Sequence, residues 1–214
     1  MEDDQQSTCE KLWAVRKTSL EICRDRGYKV SEDEINQTFD EFIDKYGDEP
    51  STDDLKILVK HKDDSSQRLL VLFYFNHKVG VKTMSGALKL MQEKKAVNGI
   101  LVYNEITGPA KAATRGDYTN NDETFHGYKL QVFHESELLI NITHHELVPQ
   151  HIALSSEEKA DALLKLKVTE KQLPKILYND PIVRYYGFER GQLVKIIRKS
   201  ETAGHYEALR IVCN

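Results

Sequence analysis

Two short runs of continuous apolar residues constrain the fold of this chain more than any other feature. They read LLVLFYF (residues 69–75) and GILVYN (residues 99–104), and such runs are typical of short strands that are buried on both faces. Between them, residues 84–91 carry apolar side chains at helical spacing. A strand, a helix and a second apolar strand predict a crossover unit in a mixed or parallel sheet.

Two helices are predicted before this crossover unit. The first covers about residues 7–26 and is capped by Ser7, and the second covers residues 31–46 as one continuous helix capped by Ser31. Further strands are predicted at residues 55–61 and 128–133. The first part of the chain therefore reads as an α/β domain.

The pattern changes near residue 143. An extended stretch over residues 142–151 is followed by helices, and the hairpin pair QLVKIIRKS and HYEALRIV closes the chain across the turn ETAG. The predicted structural turns lie at Pro149, Pro174, Pro181, Gly187, Gly191 and Gly204. We therefore expect an α/β protein, α+β overall, with a mixed-sheet domain at residues 1–142 and a small α+β domain at residues 143–214.

Charge and cysteine usage limit the possible partners and compartments. Residues 143–214 contain 11 Lys/Arg and 9 Asp/Glu, which leaves 19 basic and 25 acidic residues before them. An excess of six acids argues against a general polyanion-binding role for the first domain. Three scattered cysteines favour a reducing compartment. No apolar run is long enough to span a bilayer, so we expect no membrane partner.

Patterns that would carry catalysis or bind a metal are weak. His144, His145 and His151 lie close together, but their spacing does not fit a zinc site in an extended chain. A metal-dependent nuclease would need a partner carboxylate and a lysine on the strands after Asp53 and Asp54, and the predicted strands contain neither. We expect no catalytic residue, metal or cofactor.

The loop TGPAKAATRG (residues 107–116) contains a possible phosphate contact. Pro109 can begin a helical turn, and Lys111 and Arg115 would share one face of that turn. The alternative is a solvated loop, which is the commoner setting for exposed Lys and Arg.

The C-terminal hairpin carries apolar and basic residues on both faces. Val194, Ile196 and Arg198 alternate with Lys195, Ile197 and Lys199. A strand with one solvated face should alternate more cleanly, so we expect this surface to be partly buried against a partner.

Several segments resemble one known family. NITHHELVPQH, QLPKI, DPIVRYYG and RGQLVKIIRKSETAGHY, which occur in this order, resemble the C-terminal domain of the fifth subunit that eukaryotic nuclear RNA polymerases I, II and III share. The archaeal polymerase counterpart consists of little more than this domain. DRGY, VGVKTM and ITGPAK resemble the eukaryotic N-terminal jaw domain of the same subunit.

This resemblance implies a non-catalytic polymerase subunit in the nucleus, including the nucleolus. Its N-terminal domain would be an inactive nuclease-like jaw near downstream DNA, with weak and local DNA contact at Pro109, Lys111 and Arg115. Its C-terminal domain would dock on the largest subunit, beside the omega-like small shared subunit, rather than form a homo-oligomer. The expected assembly residues are Arg190, Lys195, Arg198, Lys199, Tyr206 and Arg210.

Some positions depart from the family pattern. Glu189 stands where the family usually has lysine, and His205 where it has arginine. The jaw loop reads Thr107-Gly108-Pro109-Ala110 instead of the usual Thr-Pro-Ser-Ala order. A subunit of a specialised or viral polymerase, and a free-standing nuclease-fold DNA-binding protein, therefore stand as alternatives.

Overall fold

A computed structural model describes residues 2–75, 77–113, 127–200 and 204–213. The chain divides into two compact units, Met1–Ile140 and Asn141–Asn214. In the described residues each unit is built around a four-stranded mixed sheet. The prediction of two domains with mixed α/β folds is confirmed.

The N-terminal unit begins with three helices, and strands and further helices follow. Its helices are α1 (Glu2–Asp25), α2 (Glu32–Ile35), α3 (Phe39–Tyr46), α4 (Val81–Glu93), α5 (Gly108–Ala113) and α6 (Glu135–Leu138). Its strands are β1 (Ile57–Lys60), β2 (Arg68–Tyr74), β3 (Asn98–Tyr103) and β4 (Lys129–His134).

The sheet of this unit has the order β1-β2-β3-β4. Strand β1 is antiparallel to β2, and the other two pairs are parallel. Helix α4 connects the parallel neighbours β2 and β3, which confirms the crossover predicted from the two apolar runs. Leu70 and Leu72 of β2 pack in a core with Met84 and Leu88 of α4.

Two of the predicted helices differ from the observed ones. Helix α1 begins at Glu2, so the predicted start at Ser7 was wrong. The predicted single helix from Ser31 is two helices, because Thr38 begins a new helix with a capping box. The Thr38 hydroxyl accepts a hydrogen bond from the backbone N–H of Glu41, and the Glu41 carboxylate accepts one from the backbone N–H of Thr38.

The C-terminal unit is built around a sheet with the order β5-β7-β8-β6. Its strands are β5 (Gln150–Ala153), β6 (Lys175–Leu177), β7 (Leu193–Ser200) and β8 (Gly204–Cys213), and its helices are α7 (Ser156–Leu166) and α8 (Pro181–Tyr186). Strands β5, β7 and β8 are antiparallel neighbours, and β6 is parallel to β8.

The N-terminal part of this unit corrects the predicted extended stretch. Residues Ile142–His144 form a 3-10 turn, and the strand begins only at Gln150. The Asn141 side chain caps this turn and donates a 2.9 Å hydrogen bond to the Tyr185 hydroxyl of α8. This buried contact explains why Asn141 belongs to the second unit.

Candidate partner-binding and DNA-proximal surfaces

Helix α5 lies where the chain leaves the carboxyl end of β3. The Thr107 N–H donates to the Val79 carbonyl (2.9 Å), and the Val79 N–H donates to the Glu105 carbonyl (2.8 Å). Ala110 is fully buried in the core that α4 shares with the sheet. These contacts fix α5 beside the segment that leads into α4.

The predicted DNA-proximal residues lie at and beyond this helix. Pro109 is the second residue of α5, and both Pro109 and Lys111 are exposed. Arg115 lies outside the described residues, so the predicted pairing of Lys111 with Arg115 on one face stays a prediction. With six residues, α5 is a short helix, and Lys111 rather than the helix dipole supplies the charge at this surface.

The register of the hairpin sorts the predicted assembly residues onto different faces. Arg198 is opposite Tyr206 and Val194 is opposite Arg210, so these residues share one face. Lys195 lies on the other face, where its ammonium group is 3.7 Å from the Glu207 carboxylate. The backbone of Lys199 is opposite that of His205.

The basic residues of the hairpin also have partners within the unit. The Arg198 guanidinium lies 5.6 Å from the centre of the Tyr206 ring, and the Arg190 guanidinium lies 4.4 Å from the Tyr178 ring. Arg210 donates to the Lys175 carbonyl at 3.4 Å. The described side chains among these predicted residues therefore lie on more than one face of the hairpin.

The mixed faces of the hairpin have a cause that sequence reasoning did not identify. Val194 and Ile196 pack with Val183 of α8 on one side of the sheet. Leu193 and Ile211 pack with Leu163 of α7 on the other side. Because the domain covers both faces of its own hairpin, the apolar alternation alone does not require a partner.

One edge of strand β8 has no described partner strand over residues 204–210. Strand β6 pairs only with Ile211–Cys213, and no described strand pairs with the preceding residues on that side. The Ile211 N–H points away from β7, toward Pro174. Glu207 and Leu209 have the same alternation as Ile211, so their backbone groups also point toward the open edge.

A mainly apolar groove of about 590 Å³ follows this open edge. It lies between β8 and α7, and the apolar residues that line it include Ala162, Leu166, Leu173, Pro174, Tyr206 and Leu209. Charged residues, among them Asp161, Lys165 and Glu207, also line it. Leu166 is 52% exposed and Tyr206 is 51% exposed. The signal for this groove in the sequence is the run Leu163, Leu164 and Leu166, which places leucines on more than one side of α7.

The predicted structural turns take well-defined places in the unit. Pro181 is the first residue of α8. The Asp180 carboxylate caps the N-terminus of this helix by accepting a hydrogen bond from the Ile182 N–H (2.9 Å). Gly187 ends the helix in a left-handed backbone conformation. The Gly191 N–H donates to the Val212 carbonyl and the Pro174 carbonyl accepts from the Ile211 N–H, each at 2.9 Å. Pro149 precedes β5, and Gly204 opens β8 opposite Ser200.

The histidines of the ITHHELVPQH segment bond locally. His145 accepts from the Leu147 N–H, and a ring nitrogen of His151 lies 2.8 Å from the Pro149 carbonyl. Burial lowers the pKa of His151. In the described part of the chain, no group of three or more His, Cys, Asp or Glu side chains could hold a metal ion.

The remaining candidate catalytic groups are dispersed. Asp53 pairs with Lys56, and both Asp53 and Asp54 are exposed before β1. Cys23 is a fully buried core residue, as predicted, and burial raises its pKa to about 12, which keeps the thiol protonated. Across the residues that the structure describes, no helix is long and apolar enough to cross a membrane.

Comparison with known proteins identifies the class to which these two units belong. Residues 140–212 match the family model described as RNA polymerase Rpb5, C-terminal domain, and residues 6–91 match the model of the Rpb5 N-terminal domain. Both units therefore place the chain in the class of RNA polymerase subunits.

Curated relatives align over nearly the whole chain. The Caenorhabditis elegans protein named DNA-directed RNA polymerases I, II, and III subunit RPABC1 is 42% identical, with 99% of this chain and 100% of the relative covered. The Dictyostelium discoideum protein of that name is 36% identical (94% and 96% covered), and Arabidopsis thaliana DNA-directed RNA polymerase V subunit 5A is 35% identical (94% and 88% covered). The chain belongs to the RNA polymerase Rpb5 family.

Proposed function

We propose that this chain is a non-catalytic subunit shared by RNA polymerases I, II and III, and that it acts in transcription in the nucleus, including the nucleolus. The observation that carries the proposal is the full-length similarity to proteins that bear this name, at 42% identity over 99% of the chain in the Caenorhabditis elegans relative. The relative from plant polymerase V has 35% identity, so the shared subunit is favoured over a specialised one.

The C-terminal unit anchors the chain to the largest polymerase subunit, beside the omega-like small subunit. Support comes from the open edge of β8 and the apolar groove beside it, since a partner strand could bond to Glu207 and Leu209 while its side chains enter the groove. Arg198 and Tyr206 lie near the end of the same hairpin. A single anchored copy, rather than a homo-oligomer, follows from this role.

The N-terminal unit is a nuclease-like jaw without a catalytic site and lies near downstream DNA. The exposed α5, with Pro109 and Lys111 at the carboxyl end of β3, supports a local phosphate contact there. Because the unit carries a net negative charge, such contact is weak and confined to a few residues.

The experiment that tests the function is purification of the tagged chain from cells. We expect near-stoichiometric recovery of the largest subunits of polymerases I, II and III, identified by mass spectrometry. Recovery of only one polymerase would limit the chain to that enzyme, and recovery of none would contradict the proposal. Mg²⁺-dependent DNA cleavage by the free chain, lost in the Asp53→Ala, Asp54→Ala double variant, would favour the nuclease alternative instead.

The DNA-proximal role of α5 has a separate test. We expect Lys111→Glu, combined with Arg115→Glu, to weaken crosslinking of the assembled polymerase to downstream DNA and to leave assembly unchanged, because each change reverses a charge and Lys111 is exposed. Lys89→Glu, an exposed charge reversal on α4, is the matched control. A parallel loss of assembly would show that the loop serves folding or docking.

A further inference from the structure

One end of the N-terminal sheet carries a concentration of cations that the proposed function does not use. It is the end at which β2, β3 and β4 begin and β1 finishes. We call it the basic end, and it comprises Arg26, Lys29, Lys60, Lys62, Arg68, Lys94, Lys95 and Lys129.

Backbone and side-chain hydrogen bonds bring these residues together. The Lys29 N–H donates to the Lys60 carbonyl (2.8 Å), and the Lys62 N–H donates to the Gly27 carbonyl (2.9 Å). The Arg68 guanidinium donates to the Lys94 carbonyl at 3.1 Å. The segment after α1, the β1–β2 turn and the segment after α4 therefore meet at the start of the sheet.

The charge at the basic end is opposite in sign to that of its unit. The segments that form it, residues 26–29, 60–68, 93–98 and 129, contain eight cations and three acids, Asp63, Asp64 and Glu93. The local excess is five positive charges, in a unit with 19 basic and 25 acidic residues. Six of the eight cations, all of them lysines, are exposed.

Folding does not account for this concentration. Lys60 lies directly opposite Arg68 in the β1–β2 pair, and like charges in that position destabilise a sheet. Helix C-termini attract cations, which explains Arg26, Lys94 and Lys95 but none of the other five. No ion pair joins Lys29, Lys60 or Lys62 to a described residue.

The residue types and their spread indicate the kind of partner. Lysine is depleted in protein–protein interfaces, whereas phosphate backbones are bound by clusters of Lys and Arg. From β1 to β4 there are three strand spacings, about 14 Å, and this is close to the roughly 12 Å width of the DNA major groove. Lys60 and Lys129 could therefore reach phosphates on the two sides of a groove.

We propose that the basic end binds the phosphate backbone of duplex nucleic acid. It lies at the amino ends of β2–β4, whereas α5 follows the carboxyl end of β3, so the two surfaces are at opposite ends of the strands. The contact is sequence-independent, because the basic end offers point charges and no element shaped to enter a groove. It is a property of the free chain and does not require its incorporation into a polymerase.

The test measures binding of the full-length chain to a fluorescent DNA duplex of about two helical turns by anisotropy. The variant Lys29→Glu, Lys60→Glu, Lys62→Glu, Lys94→Glu reverses four exposed charges at the basic end. The control reverses four exposed charges elsewhere: Lys11→Glu, Lys45→Glu, Lys89→Glu and Lys171→Glu. A Lys→Gln version of the first variant, with the circular dichroism spectrum of each protein, separates loss of charge from loss of folding.

At about 50 mM salt, we expect the Lys→Glu variant of the basic end to bind the duplex at least about tenfold more weakly than the wild type. The affinity of the Lys→Gln version should lie between those two. The affinity of the control should stay within about threefold of the wild type. The slope of log affinity against log salt should fall by about 3.6 in magnitude, since four phosphate contacts are lost and each contributes about 0.9. Equal weakening in the control, or no binding by the wild type, would overturn the proposal.

A polyglutamate arm distinguishes nucleic acid from an acidic protein. If polyglutamate of equal charge displaces the duplex more effectively than unlabelled DNA does, the basic end is a surface for an acidic protein, and the proposal is wrong. The amount of polymerase that each tagged variant co-purifies is measured in a separate experiment. A variant that loses DNA binding but still co-purifies polymerase supports this inference. A wild type that co-purifies no polymerase would contradict only the proposed function.

Discussion

The longest strands of the two sheets are buried to very different degrees. In the N-terminal unit, five consecutive residues of β2, Leu69–Phe73, are buried, and β3 has four buried residues between half-buried ends. In the C-terminal unit, the longest strand, β8, has exposed residues at Tyr206, Glu207 and Arg210 and an unpaired edge. The central strands of the first sheet bury their apolar residues within their own unit, whereas β8 of the second sheet has exposed side chains beside an open groove.

This difference indicates that the two regions have different roles, one in stability and the other in association. A strand covered on both faces stabilises its own unit and presents little to a partner. An unpaired edge beside exposed leucines is a place where another chain can add a strand. Within each unit we therefore expect mutations in β2 to act on stability and mutations at the β8 groove to act on association.

The largest expected effect is that of Leu72→Ala. Leu72 is 1% exposed in the core that β2 shares with α4, and truncation of such a leucine lowers the free energy of unfolding by about 2–5 kcal/mol. Trp13, the single tryptophan of the chain, lies in this unit, so urea unfolding followed by its fluorescence measures the change. Leu58→Ala, at a residue 45% exposed on β1, is the control and should cost less than about 1 kcal/mol.

The next largest effect is expected at the groove beside β8 in the C-terminal unit. Leu166→Asp places a charge in the β8 groove, and we expect polymerase recovery to fall about tenfold or more, which corresponds to about 1.4 kcal/mol, with unchanged thermal unfolding. Leu164→Asp is the matched control, because Leu164 is 75% exposed on the same helix and does not line the groove. Equal recovery of the two variants would show that the groove is not the anchor.

The loss of a helix N-cap should have a smaller effect on stability, and that effect should be equal in the two units. Thr38 and Ser155 each begin a helix with a capping box, and replacement of either by Ala should cost about 1 kcal/mol. Ser31 precedes α2 without a side-chain hydrogen bond to it, so Ser31→Ala should change the free energy of unfolding very little. A large cost for Ser31→Ala would contradict the observed break between the two helices.

That break shows which parts of the fold the sequence could predict. The crossover was predictable because apolar runs and helical spacing are local patterns. The division between α2 and α3 was missed because Ile35, Phe39 and Phe42 keep helical spacing across it, so periodicity continues where the helix does not. Strand β6 was missed because three residues are too few for an alternation to be recognised. Strand β5 was missed because only its first two residues fall within the extended stretch predicted at residues 142–151.

The candidate surfaces were predictable only in part. The hairpin followed from alternation and a glycine turn, but its open edge depends on how far β6 extends along β8, and strand pairing between distant segments leaves no local signal. The basic end could not be predicted from the sequence for the same reason. Lys29, Lys60, Lys94 and Lys129 are dispersed over about a hundred residues, and only strand pairing and long-range hydrogen bonds bring them together.

The smallest expected effect is a pH dependence confined to the C-terminal unit. Burial lowers the pKa of half-buried His151 below its usual value of 6.5, with a smaller lowering from Arg210, while the Pro149 carbonyl and Asp180 act in the opposite direction. The folded state therefore binds a proton less readily than the unfolded state. The resulting stability is present above about pH 6.5 and is lost as the pH falls through the folded-state pKa.

We therefore expect the wild type to lose more stability than His151→Gln between about pH 7.5 and pH 5.5. Hydrogen exchange of the amides in β5 and β7, where His151 pairs with Ile196, measures the change locally. Exchange in β2 and β3 should show no difference between the two proteins. A wild type that gained stability relative to His151→Gln as the pH fell would mean that the folded state favours the protonated imidazole, so that Asp180 and the Pro149 carbonyl outweigh burial.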